Sequence, residues 1–157
     1  LVGIRFNNFG ATRDPDTGKA KEMRYLSLPG VAPDLPFNAD SIGASYIHVV
    51  EGEYNAFTLV MPPYRQEAIG LPGAGVWKPE WTARLSGAKR LIAWYDEDRA
   101  GKKAVERLRA TLVDRFGEAW TAERLHAVVQ PRDPNDLHNS RELRKVLIEA
   151  PWRVRSF

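Results

Sequence analysis

From residue 45 onward, short apolar runs rich in β-branched residues alternate with segments of helical periodicity. The runs predict four strands, at residues 46–50, 68–71, 90–95 and 125–129. The intervening segments predict four helices, at residues 53–60, from 79 onward, at 99–116 and at 142–149. Strands that alternate with helices favour a mostly parallel sheet with helices on both faces. We therefore predict an α/β fold.

Residues 1–40 have a different character, because short apolar runs are broken there by Gly, Pro, Asn and Asp. Segments 1–6 and 23–28 have the composition of strands and flank a turn at 14–18. We predict a small β-hairpin appendage over residues 1–40 and an α/β domain over residues 41–157. Because the chain begins with leucine rather than methionine, we expect it to be a fragment of a longer protein.

Composition excludes several classes of protein. The 157 residues include 0 cysteines, which rules out disulfides and cysteine-ligated zinc or iron–sulfur sites within this chain. No apolar run is long enough to cross a bilayer. The net charge of +3 permits nucleic-acid binding without demonstrating it. We expect a cytoplasmic protein that does not bind membranes.

Acidic residues follow three of the four predicted strands. Glu51 closes the first strand, Asp96 and Asp98 follow the third, and Asp133 follows the fourth. In an open α/β sheet, ligands bind at the carboxyl ends of the strands, so these side chains are expected to gather at one edge. Carboxylates gathered without a cation repel one another, and Mg²⁺ prefers oxygen ligands. The pattern therefore predicts a Mg²⁺ or Mn²⁺ site that serves phosphate chemistry.

Acids that precede helices also have a simpler interpretation as N-caps. Asp98 precedes the predicted helix 99–116, and Glu53 lies in the first turn of the helix before it. Capping alone does not require Glu51 together with acids at two other strand ends, so the metal site is the favoured interpretation.

At these positions the sequence resembles the Toprim family, which includes bacterial primases, phage helicase-primases, topoisomerases and some nucleases. The resemblance covers about residues 46–137. Val-Val-Glu-Gly-Glu at 49–53 resembles the glutamate motif of the family, and Asp-Glu-Asp at 96–98 resembles its Asp-x-Asp motif. The string 98–104, in which an acid precedes Ala-Gly and a basic helix start, resembles primases more specifically, as does Asp-Pro-Asn-Asp at 133–136.

The resemblance implies a Toprim (Rossmann-like) fold and a site for Mg²⁺ or Mn²⁺. It implies that Glu51 acts as a general acid or base, and that Glu51, Asp96 and Asp98 are catalytic. The implied metal ligands are the acids of the three motifs, namely Glu51, Asp96, Asp98, Asp133 and Asp136. Primases often carry an aspartate four residues after the glutamate. This chain has Asn55 there, and we do not count it as a ligand because the amide lacks the charge.

Four basic residues are candidates for contacts with nucleotide or nucleic-acid phosphates. The segment 24–30 resembles the one that precedes Toprim in primases, with Arg24 in place of a lysine. Arg99 and Lys102 begin the helix beside the acids, and Arg132 adjoins Asp133. The alternative is that these side chains are ordinary solvated surface residues.

The resemblance predicts the catalytic core of a DNA primase, a DNA-directed RNA polymerase of the nucleotidyltransferase class. Such an enzyme joins ribonucleoside triphosphates into short RNA primers on a single-stranded DNA template during replication. Its expected partners are a replicative helicase or a zinc-binding domain, in the same or a separate chain. Two alternatives remain open: DNA strand cleavage of the Toprim nuclease or topoisomerase type, and a non-catalytic nucleic-acid-binding module.

Overall fold

The structure, a computed structural model, describes residues 5–7, 12–13, 20–21, 25–27, 35–73 and 76–149. The chain divides into two compact units, Leu1–Leu35 and Pro36–Phe157. The strands described in the first unit are β1 (Arg5–Asn7), β2 (Thr12–Arg13), β3 (Ala20–Lys21) and β4 (Tyr25–Ser27). β1 pairs with β4 and β2 pairs with β3, both antiparallel. The pairing of β1 with β4 agrees with the hairpin predicted for this region.

The second unit is built on a four-stranded sheet. Its strands are β5 (Tyr46–Glu51), β6 (Ala68–Leu71), β7 (Arg90–Asp96) and β8 (Leu125–Gln130). They lie in the order β6-β5-β7-β8, and every pairing is parallel. The predicted α/β fold is confirmed, with a sheet that is wholly parallel rather than mostly so. Residues 36–40, assigned to the appendage in the sequence analysis, lie in this unit, where Phe37 and Gly70 of β6 exchange backbone hydrogen bonds of 2.9 and 3.1 Å.

The helices of the second unit cover both faces of the sheet. They are α1 (Glu53–Val60), α2 (Pro79–Thr82), α3 (Arg99–Phe116), α4 (Glu118–Arg124), α5 (Pro134–Asn139) and α6 (Leu143–Glu149). Two 3₁₀ turns, Ala39–Gly43 and Ala83–Leu85, complete the unit. Within the described residues, no helix has both the length and the apolar character needed to span a bilayer. Helices α4 and α5 were not predicted from the sequence.

Two apolar cores lie on the two faces of the sheet. On one face, Leu108 and Leu112 of α3 pack in a cluster with Ile47 of β5. On the other, Leu59 of α1 packs in a cluster with Leu137 of α5. A strand that is buried on both sides has no reason to alternate apolar and polar residues, which explains the continuous apolar runs of the sequence. The two layers hold the strand ends in a fixed arrangement.

A buried histidine lies in the middle of β5. His48 is 3% exposed, and its Nδ1 accepts a hydrogen bond of 2.8 Å from Nε1 of Trp94. An acceptor Nδ1 requires the neutral ring, protonated at Nε2. Burial lowers the pKa of His48 from 6.5 to about 4, and a hydrogen bond with Gln66 opposes part of this shift.

This histidine should make the fold sensitive to acid. Between pH 6.5 and pH 4 the unfolded chain binds a proton at this site and the folded chain does not, so the free energy of unfolding falls as the pH falls. A pKa difference of this size corresponds to about 3 kcal/mol. Urea unfolding at pH 7 and at pH 4.5 should show most of this loss in the natural chain. It should be much smaller in His48→Asn, whose amide oxygen can still accept from Trp94; an equal loss in both chains would contradict the assignment.

Candidate active site

A pocket opens at the carboxyl edge of the sheet, where β5, β7 and β8 end. Glu51, Asp96 and Asp133 all line it, so the structure brings together one acid from each of the three predicted motifs. The remaining lining residues are Asn55, Trp94, Tyr95, Val128, Arg132 and Pro134. The parallel register explains this, because the strands run in the same direction and end at the same edge.

Glu51 is half-buried at the last position of β5. The chain turns directly from it into α1 through Gly52, whose φ of 82° and ψ of 147° favour glycine. Tyr95 lies on the neighbouring strand β7 and is 4% exposed. Burial and, to a lesser extent, the charge of Glu51 raise the pKa of Tyr95 well above its ordinary value. The phenol therefore stays protonated at neutral pH beside the glutamate.

Asp96 is an exposed residue at the end of β7. Its pKa is raised, first by partial burial and then by the charges of three other carboxylates, Asp98, Asp133 and Asp136. The charges of these three carboxylates therefore disfavour the ionised form of Asp96. A divalent cation beside Asp96 would offset that effect.

Two of the predicted ligands also cap helices. Asp98 accepts a hydrogen bond of 2.7 Å from the backbone N–H of Gly101 at the start of α3. Asp133 accepts one of 2.8 Å from the N–H of Asp136 at the start of α5. The capping interpretation is therefore correct for Asp98, and it extends to Asp133. Capping occupies one acceptor position of a carboxylate that has about four, so it is compatible with a metal ligand.

The carboxylate oxygens at this edge are the type of ligand that a hard cation prefers, although they do not form a closed binding site. Across the part of the chain that the structure describes, no three His, Cys, Asp or Glu side chains are grouped closely enough to hold a metal ion. Mg²⁺ typically keeps several waters and binds through one or two carboxylates together with substrate phosphates. An open edge, with acids at the ends of β5 and β7 and after β8, fits that mode of binding better than a closed protein site does.

The basic candidates occupy different settings. Arg99 and Lys102 are exposed in the first turn of α3, directly after the acids of β7. Arg132 lines the pocket, but it forms a bidentate ion pair with Glu142, with N–O distances of 2.9 and 2.6 Å. A phosphate would have to compete with that carboxylate for the guanidinium. Arg24 lies outside the described residues.

Two residues that shape the site were not identified as such from sequence. Gly101 lies so close to β7 that a Cβ on it would be 2.2 Å from the backbone oxygen of Asp96. The Ala-Gly pair at 100–101, within the segment that resembles primases, could have indicated this close approach. Asn55 was set aside as a ligand, yet its side chain joins the acidic segments through three hydrogen bonds. No feature of the sequence indicated those contacts.

The chain shares its fold with solved primase catalytic cores. Three solved structures establish the likeness. The zinc-binding and RNA polymerase domains of the Aquifex aeolicus primase match 94% of this chain with a TM-score of 0.63 and 16% identity. The primase fragment of the bacteriophage T7 primase-helicase matches 90% with a TM-score of 0.58 and 21% identity. A DnaG primase catalytic domain bound to single-stranded DNA matches 88% with a TM-score of 0.57 and 19% identity.

This chain covers only part of each of these structures, namely 36%, 60% and 49% of their lengths, respectively. No protein-family model matches the sequence, and no curated protein sequence matches it. The likeness therefore lies in the fold, at identities where activity does not follow from similarity alone.

Proposed function

We propose that this chain is the catalytic core of a DNA primase, which synthesises short RNA primers on single-stranded DNA by nucleotidyl transfer. The observation that supports this most strongly is the meeting of Glu51, Asp96 and Asp133 in one pocket, on a fold shared with primase catalytic cores. Glu51 and Asp96 end two strands and Asp133 follows a third, and a structural role such as capping accounts for only one of the three acids.

The reaction joins the 3′-hydroxyl of one ribonucleotide to the α-phosphate of the next and releases pyrophosphate. Glu51, which lines the pocket, would accept the proton of the hydroxyl. Asp96, Asp98 and Asp133, with Asp136 nearby, would hold Mg²⁺ or Mn²⁺. When bound, such cations neutralise the charge that develops on the attacking and leaving oxygens. Arg99 and Lys102 are free to contact phosphates from the first turn of α3.

The partners proposed are the single-stranded template, ribonucleoside triphosphates, and a zinc-binding or helicase domain in the same or another chain. The solved structures that this chain resembles include one primase bound to single-stranded DNA, one with a zinc-binding domain and one from a primase-helicase. We propose that the protein acts in DNA replication in the cytoplasm. Arg24 and Arg132 remain candidate phosphate contacts.

One gel assay with two labels tests this proposal. The chain is incubated with Mn²⁺, an end-labelled single-stranded DNA template and, in parallel reactions, α-labelled ribonucleotides. Asp96→Ala and Asp98→Ala remove the proposed ligands, and Asp114→Asn is a matched control because this exposed acid lies near the far end of α3. We expect short labelled RNA products from the natural chain and from Asp114→Asn, and none from the other two.

Two results would contradict primer synthesis. A shortened template that depends on Asp96 and Asp98 would show that the same acids cleave DNA instead. The absence of both products from the natural chain would show that this chain is not by itself a catalytic core.

A further inference from the structure

The side chain of Asn55 connects separate parts of the candidate active site through hydrogen bonds. Its Nδ2 donates hydrogen bonds to the backbone oxygen of Glu51 at 2.8 Å and to Oδ2 of Asp133 at 3.1 Å. Its Oδ1 accepts a hydrogen bond of 3.1 Å from the backbone N–H of Asn135. Both amide hydrogens and the carbonyl oxygen are therefore used, in a half-buried position on the first turns of α1.

The segments that Asn55 connects follow strands that are not neighbours in the sheet. Glu51 ends β5 and Asp133 follows β8, and β7 lies between those two strands. No direct pairing of β5 with β8 can set the distance between the two acids. Asn55 supplies that constraint from the side, since it holds the end of β5 with one contact and the start of α5 with two.

The hydrogen bonds at position 55 require a neutral side chain that can donate. Asp133 already accepts the N–H of Asp136 with Oδ1, so the bond from Asn55 to Oδ2 fixes the orientation of the whole carboxylate. An apolar side chain at position 55 would leave that oxygen without this restraint. A carboxylate at position 55 would lack the hydrogens that Asp133 and Glu51 accept.

We propose that Asn55 is a positioning residue that aims the carboxylate of Asp133 into the pocket beside Glu51 and Asp96. Its role rests on the proposed function of that pocket as a divalent-cation site. Partners that orient a ligating carboxylate typically change metal affinity by about 10- to 100-fold when they are removed.

A neighbouring contact offers a matched control. Thr58 lies one turn further along α1 and places its Oγ1 3.4 Å from Oδ1 of Asn135, while it donates to the backbone oxygen of Tyr54 at 2.9 Å. Thr58→Ala therefore removes a van der Waals contact between α1 and α5 without touching an acid. Asn55→Ala instead removes the hydrogen bonds of α1 to Asp133 and to the Asn135 N–H.

The test combines Mn²⁺ affinity with amide hydrogen exchange. In the metal-free protein, Asn55→Ala should speed exchange of the Asn135 N–H, whose acceptor is lost. Calorimetric titration should show Mn²⁺ binding about 10-fold weaker or more in Asn55→Ala, and within twofold of the natural chain in Thr58→Ala. Asn55→Leu, which fills the space without hydrogen bonds, should behave like Asn55→Ala.

A double-mutant cycle with Asp133→Ala separates positioning from general stability. If Asn55 acts through Asp133, then Asn55→Ala causes no further loss of affinity once Asp133 is alanine. Independent, multiplicative losses would overturn the proposal, as would unchanged affinity and exchange in Asn55→Ala. If the natural chain binds no Mn²⁺, the proposed metal site fails. The positioning of α5 is then judged on exchange alone, where unchanged exchange in Asn55→Ala overturns it.

Discussion

Replacing Gly101 by alanine is expected to lower the free energy of unfolding by about 3 kcal/mol, the upper end of the usual cost of overpacking. The added Cβ would lie 2.2 Å from the backbone oxygen of Asp96 and 3.0 and 3.1 Å from its nitrogen and carbonyl carbon. These are backbone atoms of a central strand, which cannot turn aside as a flexible side chain can. Relief of the clash therefore requires that α3 or the end of β7 move, and either movement displaces Asp96 and Asp98.

Gly87→Ala is the control for this experiment, because an added Cβ there meets no atom within 4 Å. Chemical denaturation should show the large loss in Gly101→Ala and a change close to zero in Gly87→Ala. If Gly101→Ala unfolds at the same denaturant concentration as the natural chain, the close approach of α3 to β7 is wrong.

Replacing Asp96 by asparagine is expected to change activity and stability in opposite directions. The charge of Asp96 is disfavoured by partial burial and by Asp98, Asp133 and Asp136, which together raise its pKa. Neutral asparagine removes that repulsion, so the metal-free variant should unfold at a higher temperature at pH 7. The difference should shrink as the pH falls toward 4, since the aspartate itself then becomes protonated. Primer synthesis, by contrast, should fall by about 100-fold or more when a metal ligand is lost.

The opposite signs distinguish a functional acid from a structural one. If the carboxylate of Asp96 stabilised the fold, its replacement by asparagine would lower both the stability and the activity of the protein. Thermal unfolding and the gel assay on the same protein preparation provide the comparison, with Asp114→Asn as an acid outside the site. A lower unfolding temperature in metal-free Asp96→Asn would show that the carboxylate stabilises the fold instead.

The elements with strong periodicity could be predicted from sequence. The four strands of the sheet and the long helix α3 follow the predicted limits to within a residue, because both faces of the sheet are buried and the apolar pattern is continuous. Because strands and helices alternate in the sequence, the acids after the strands could also be predicted to lie at the carboxyl edge of the sheet. Helix α5 was missed because Asp133 and Pro134 begin a helix of only six residues, too short for a periodic pattern.

The contacts that organise the acids could not be predicted in the same way. Asn55 reaches residues 78 and 80 positions away, and hydrogen bonds between such distant positions leave no local pattern. The ion pair of Arg132 with Glu142 likewise depends on the placement of α6. The roles of the acids in metal binding, and the phosphate contacts of the basic residues, remain predictions.

Binding of a divalent cation by the acids at the ends of β5 and β7 and after β8 can be measured by calorimetric titration of the protein with Mn²⁺, alone and with a ribonucleoside triphosphate. We predict binding to the natural chain and to Asp114→Asn, strengthened by the nucleotide, and its loss in Asp96→Asn. If the natural chain does not bind Mn²⁺ under either condition, or if Asp96→Asn binds it equally well, the metal site does not exist where we place it.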